Sequence, residues 1–140
     1  QDQPSFVPQT SGFFPQRNYH FIYQAKNWTE AQSYCRENFI DLATVADVKD
    51  VATLNKLANL NQMFASSNAY VSPSISWFGL YRNNWMWSDD STFSFTYWNT
   101  PNAEPSGGKQ SCVAANFRSS GLWEDWMCDI KKIFICYSGK

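Results

Sequence analysis

Apolar positions alternate first. Tyr19-His20-Phe21-Ile22-Tyr23 places Tyr19, Phe21 and Tyr23 on one face, the period-2 pattern of a strand. His20 then points the other way, as a surface or edge histidine. The period changes after Asn27. Trp28, Ala31, Cys35 and Phe39 recur at helical spacing, and Asn27 with Glu30 three residues on forms a capping box. The pattern predicts a helix that starts at Asn27 and turns Cys35 inward.

Residues 40–45 form a short strand or extended link. A second helix is predicted over 46–60, with Asp47 or Asp50 near its positive end and an apolar stripe of Val48, Val51, Leu54 and Leu57. Residues 61–76 are small and polar and predict a loop. Ile75-Ser76-Trp77-Phe78-Gly79-Leu80-Tyr81 is apolar throughout, as a central strand is. Trp85-Met86-Trp87-Ser88-Asp89 follows it as a second strand across an Asn83-Asn84 turn. Later strands are predicted at 111–117, 122–127 and 132–137, with a turn at 119–121. Helices early and short antiparallel strands late define an α+β class, here two helices and two small antiparallel sheets with a long loop region. Residues 1–18, with three prolines, read as an extended arm, and 19–140 as one domain.

Composition narrows the function. The 140 residues are 44% hydrophobic and 18% aromatic, with seven Trp, enough large rings for one core and too many for a disordered chain. The net charge of −1 carries no basic face for nucleic acid. No run approaches the ~18 apolar residues of a membrane span, so membrane insertion is not expected. No charged and apolar leader opens the chain; a signal peptide is expected to have been removed or not included. With a single His no Ser-His-Asp set is available. Exposed carboxylates beside a proline lack the apolar pocket that makes a catalytic acid, so no enzyme is expected.

Four cysteines, Cys35, Cys112, Cys128 and Cys136, allow three pairings. Structural disulfides are the expectation; buried free thiols and a zinc site are the alternatives, the latter weakened by the absence of a CxxC pair. Asn27-Trp28-Thr29 is a glycosylation sequon, in keeping with a secreted or extracellular address. The stretch 98–136 gathers three of the cysteines with Glu104, Glu124 and Asp125 among Gly, Ser and Asn residues. Oxygen ligands on braced loops are what a hard cation such as calcium requires.

Four features in one order resemble the C-type lectin-like domain family, in its short form with two disulfides. Trp28-x-x-Ala31-x-x-x-Cys35 is similar to the first-helix motif. Trp77-Phe78-Gly79-Leu80 is similar to the WIGL motif. Trp98 with Glu104-Pro105-Ser106 resembles the segment leading to the EPN or QPD triplet, and Trp123-Glu124-Asp125 resembles WND. The resemblance covers 19–137 and implies the pairings Cys35–Cys136 and Cys112–Cys128.

It also implies a ligand set. In calcium-binding members one ion is held by the triplet, by a carboxylate before the next cysteine and by the end of WND, and neighbouring sugar hydroxyls complete the coordination. Those positions are here Glu104, Ser106, Gln110, Glu124 and Asp125, for both the metal and the carbohydrate. Pro105 would be cis. Gln110 has lost a carboxylate and Glu124 has gained one, so the set keeps three negative charges. Ser106 is shorter than the usual Asn, and Glu124 lacks its amide donor. Glu104 pulls toward mannose-type glycans, whereas galactose-type glycans go with QPD. Trp126 is a candidate to stack on a sugar face. The expected function is calcium-dependent glycan recognition, innate immunity-like or at cell surfaces, with Ca2+ as cofactor. The alternative is calcium-independent binding of a protein ligand, with an antifreeze role ranked third. Weak single sites make a homo-oligomer or a multi-copy receptor the expected setting.

Overall fold

A computed structural model describes residues 17–66, 74–81, 85–99 and 112–139. Strand β1 (Arg17–Lys26) leads to helix α1 (Trp28–Asn38), strand β2 (Asp41–Leu42), helices α2 (Val48–Leu57) and α3 (Leu60–Ser66), and strands β3 (Ile75–Tyr81) and β4 (Met86–Trp87). Strands β5 (Cys112–Asn116), β6 (Leu122–Trp126) and β7 (Lys132–Gly139) complete the described chain. The class is α+β, as the pattern predicts. The predicted arm lies outside the described residues up to 16, and β1 takes in its last two, Arg17 and Asn18.

Helix α1 starts where the capping box places it. Asn27 Oδ1 accepts from the Glu30 N–H at 2.8 Å, and Glu30 Oε1 accepts from the Asn27 N–H at 3.1 Å. Trp28, Ala31 and Cys35 are buried. Helix α2 is shorter than predicted. Val51 and Leu54 are buried, but Val48 is 63% and Leu57 47% exposed, so the core-facing stripe is half as long as the spacing suggests. The chain breaks at Ala58 and restarts as α3, which falls within the predicted loop. Asn59 caps it, its Oδ1 accepting from the Gln62 N–H, and Met63 is fully buried beneath it. The rest of that predicted loop up to 73, and the Asn83-Asn84 turn, lie outside the described residues.

The expected two sheets are one. Strand order is β1-β7-β3-β5-β6, with β2 on β7 and β4 on β3. A single parallel pair, Trp77 with Phe134, joins the antiparallel half β1-β7 to the antiparallel half β3-β5-β6. Cores fill both faces. One cluster centres on Phe78, Leu80, Trp87, Val113 and Trp123; the other holds Trp28, Cys35, Trp77, Ala114 and Phe134. Tyr19, Phe21 and Tyr23 all pack on the first cluster, while His20 turns away and stacks on Phe39 at 4.5 Å.

Gly79 sits where two backbones meet. Its N–H donates to Ala43 O at 2.8 Å, and a Cβ there would stand 2.9 Å from that oxygen. The disulfides are Cys35–Cys136 and Cys112–Cys128. The first ties α1 to β7. The second ties the start of β5 to the turn after β6.

Candidate functional site

The candidate site grows from strand β6, whose sequence Leu-Trp-Glu-Asp-Trp alternates between two buried faces. Trp123 is 1% exposed and packs against Phe78, Trp87, Phe95 and Trp98. Its backbone also receives the incoming chain. Trp123 N donates to Tyr97 O at 2.8 Å, and Asn99 N donates to Trp123 O at 2.9 Å. Residues 97–99 therefore run along β6, and Asn99 is the last described residue before 112. Cys112 pairs with Trp126 on the other side of the same strand.

Glu104, Ser106 and Gln110, with Pro105 between them, lie outside the described residues. Glu124 and Asp125 lie within them. In the β5–β6 register Glu124 stands opposite Ala114 and Asp125 opposite Val113, so their side chains leave opposite faces of the strand. Both residues are buried, at 6% and 3% exposure.

Glu124 is engaged by neutral donors. Asn99 Nδ2 reaches its Oε2 at 3.1 Å and Asn116 Nδ2 reaches the same atom at 3.0 Å. The Trp126 indole N–H donates to Oε1 at 3.2 Å. Three donors from three segments thus satisfy a carboxylate inside the protein. Trp126 is partly buried, and the Lys132 ammonium sits 3.6 Å from its ring centroid. One face of this ring, a candidate for sugar stacking, is therefore already covered by a cation. Among the described residues no group of three or more His, Cys, Asp or Glu side chains is arranged to hold a metal.

Asn99, Asn116 and Lys132 have no place in the ligand set read from the sequence. Amide side chains on loops are too common to single out. The convergence of Asn99 and Asn116 on Glu124 depends on the pairing of β6 with β5 on one side and with residues 97–99 on the other.

Around the first helix a second polar cluster locks the site's support. Asp41 takes an ion pair from Arg36 at 3.2 Å, and Arg36 also donates to Ser88 O at 3.0 Å. Asp89 accepts from Thr44 Oγ1 at 2.8 Å, from the Tyr137 hydroxyl at 2.9 Å and from Ser91 N at 2.9 Å. Burial would raise this carboxyl, but its bonds from Ser91, Thr44 and Tyr137 together hold it below the usual carboxylate value.

The described fold and its motifs agree with comparisons to known proteins. The model of the lectin C-type domain matches residues 24–138, and the chain belongs to that family. It is 32% identical over 133 residues to C-type lectin lectoxin-Lio3 of Erythrolamprus poecilogyrus, covering 90% of this chain and 78% of the relative. It is 29% identical over 124 residues to a lectin of Pleurodeles waltl, covering 84% and 67%. To L-selectin of Rattus norvegicus it is 25% identical over 128 residues, 86% of this chain but 32% of that protein. The fold is shared with the cow C-type carbohydrate-recognition domain of CD23, at a TM-score of 0.71, 23% identity and 91% coverage of each chain. Members of the family generally act by binding. No described helix is long and apolar enough to cross a membrane.

Proposed function

We propose that this chain is a carbohydrate-recognition module that binds glycans in an extracellular setting, through the half of the domain built on residues 98–128. One observation carries this reading. The Asn99–Glu124–Asn116 network ties Asn99, the residue that precedes 100–111 and its Glu-Pro-Ser triplet, to β6. A shallow recognition loop needs such a fixed frame, because a ligand contact gains little if the loop must first be ordered. Family membership and the lectin relatives support the same conclusion.

The calcium set implied by the resemblance fits the described residues only in part. Glu124 fits poorly as a ligand, since three donors take three of the roughly four acceptor positions of its carboxylate. Asp125 would hold the ion together with Glu104, Ser106 and Gln110, and a bound ion would supply positive charge for vicinal sugar hydroxyls. The protein's own contribution is the frame: Asn99 and Asn116 orient Glu124, and Glu124 holds β6 in place beside Asp125.

The engaged state of Glu124 also favours a second reading, calcium-independent binding of a protein ligand on the same face. A glycan array probed with the chain in calcium and in chelator separates these. Signal on mannose-type or galactose-type glycans is expected. Signal lost in chelator assigns the calcium bridge to the remaining four residues, and signal kept in chelator assigns direct binding. An array silent in both buffers removes the glycan reading and leaves the protein ligand. Weak binding per site makes the signal depend on multivalent display, as expected of a homo-oligomer or multi-copy receptor.

A further inference from the structure

Lys132 is 2% exposed, and its Nζ has no hydrogen-bond partner. An ammonium taken out of water without a bond costs several kcal/mol unless something else stabilises its charge. Two aromatic faces do part of this, Trp126 at 3.6 Å and Trp77 at 5.5 Å. The Glu124 charge also acts on it.

The sheet register puts the two residues on one face. Phe134 pairs with Trp77, Trp77 with Ala114, and Ala114 with Glu124, so these four residues form one row across β7, β3, β5 and β6. Lys132 lies two residues before Phe134 on β7, and Trp126 two residues after Glu124 on β6. Both therefore project on the face of that row. Trp126 joins the charges, its indole edge donating to Glu124 Oε1 and its ring face carrying Lys132 Nζ.

We propose that Lys132 is a built-in counter-cation for Glu124, so that the second residue of the Trp-Glu-Asp motif is neutralised from inside the protein and serves as a strand-locking residue unavailable to an external cation. Burial lowers the Lys132 ammonium to about 8 against the opposing pull of the Glu124 charge. The assignment holds whether or not the 98–128 half binds a glycan. Its failure and that of the glycan reading are therefore read in different experiments.

The test is a double-mutant cycle on thermal unfolding, in chelator, with Glu124→Gln, Lys132→Met and the double variant. Each single change leaves one buried group uncompensated. The sum of the two single drops in melting temperature is expected to exceed the drop of the double variant by about 3 °C or more. Additive drops overturn the proposal. Calcium titration of wild type and Glu124→Gln gives the second arm: equal responses are expected, and loss in the variant of a response present in the wild type overturns it. If Lys132→Met does not fold, NMR of the wild-type chain decides. The Lys132 ε-methylene resonances should lie upfield under the Trp126 ring and move on Glu124→Gln. Resonances at the positions of an exposed lysine overturn the assignment.

Discussion

Asn99 donates its side-chain amide to Glu124 across 25 residues of sequence, 3.1 Å from nitrogen to oxygen, with both residues buried. The bond holds the last described residue before the 100–111 segment against the strand of the Trp-Glu-Asp motif. Asn99→Ala should remove a charge-assisted bond and leave Glu124 less satisfied. The expected cost is about 1.5–3 kcal/mol of stability, measured by urea denaturation with an unchanged slope. Asn99→Asp should cost more, because a second carboxylate would face Glu124.

Gly79→Ala should destabilise the domain by about 1–3 kcal/mol. The added methyl would meet Ala43 O at 2.9 Å and Leu42 O at 3.1 Å, both backbone atoms that cannot swing aside. A lowered melting temperature with near-native ligand binding is the expected result. An unchanged melting temperature would show that β2 and β3 separate freely.

Asp89 gives the fold an acid-sensitive contact. Its folded carboxyl lies below the usual value because the bonds from Ser91, Thr44 and Tyr137 outweigh burial. A carboxyl depressed on folding contributes stability above its unfolded pKa and loses it as pH falls through the folded one. Asp89→Asn should therefore be less stable than wild type at neutral pH, by on the order of 1 kcal/mol. The gap should begin to close below about pH 4, near the ordinary unfolded carboxyl value, and narrow further as the pH falls. Denaturant midpoints of the two proteins across that range check it.

The two disulfides should differ in weight. Cys35–Cys136 spans 101 residues of sequence and Cys112–Cys128 spans 16. On chain entropy the longer closure stabilises by about 4.7 kcal/mol and the shorter by about 3 kcal/mol. Replacing the first pair with Ser should lower stability more. Replacing the second should weaken glycan binding more, because it braces the strands flanking 100–111. Denaturation and array binding of the two double-Ser variants separate these effects.

What could be read from the sequence depended on the range of the interaction. Helix α1 was legible because its signals are local: the Asn27 and Glu30 cap lies within one turn, and Trp28, Ala31 and Cys35 mark one face. Strand β3 was legible from an uninterrupted apolar run. Helix α2 was overextended because Val48 and Leu57 continue the spacing of Val51 and Leu54 while lying beyond the surface that buries them. Helix α3 was missed because its seven residues are short of a full helical stripe, with buried Met63 and partly buried Leu60 as the described side chains on the core. The fusion of two sheets rests on one parallel pair between residues 57 apart, which no local pattern encodes. At the site, the residue types of Glu124 and Asp125 were visible. That Glu124 is already bonded was not, because its partners come from a loop, from β5 and from its own strand, and its counter-charge from β7.

The register of β1 on β7, with Arg17 beside Gly139, has a mechanical consequence. Tension applied through Arg17 and Gly139 pulls the two strands apart from one end, breaking their pairs in succession like a zipper instead of shearing all at once. The force path then runs from Arg17 to Cys35, crosses the covalent bond to Cys136 and exits at Gly139. Residues 36–135, which include Glu124, Asp125 and their supporting strands, lie inside the closed loop and bear no load. A lectin domain wired this way can be pulled open at its edge while the half that carries Glu124 and Asp125 keeps its shape.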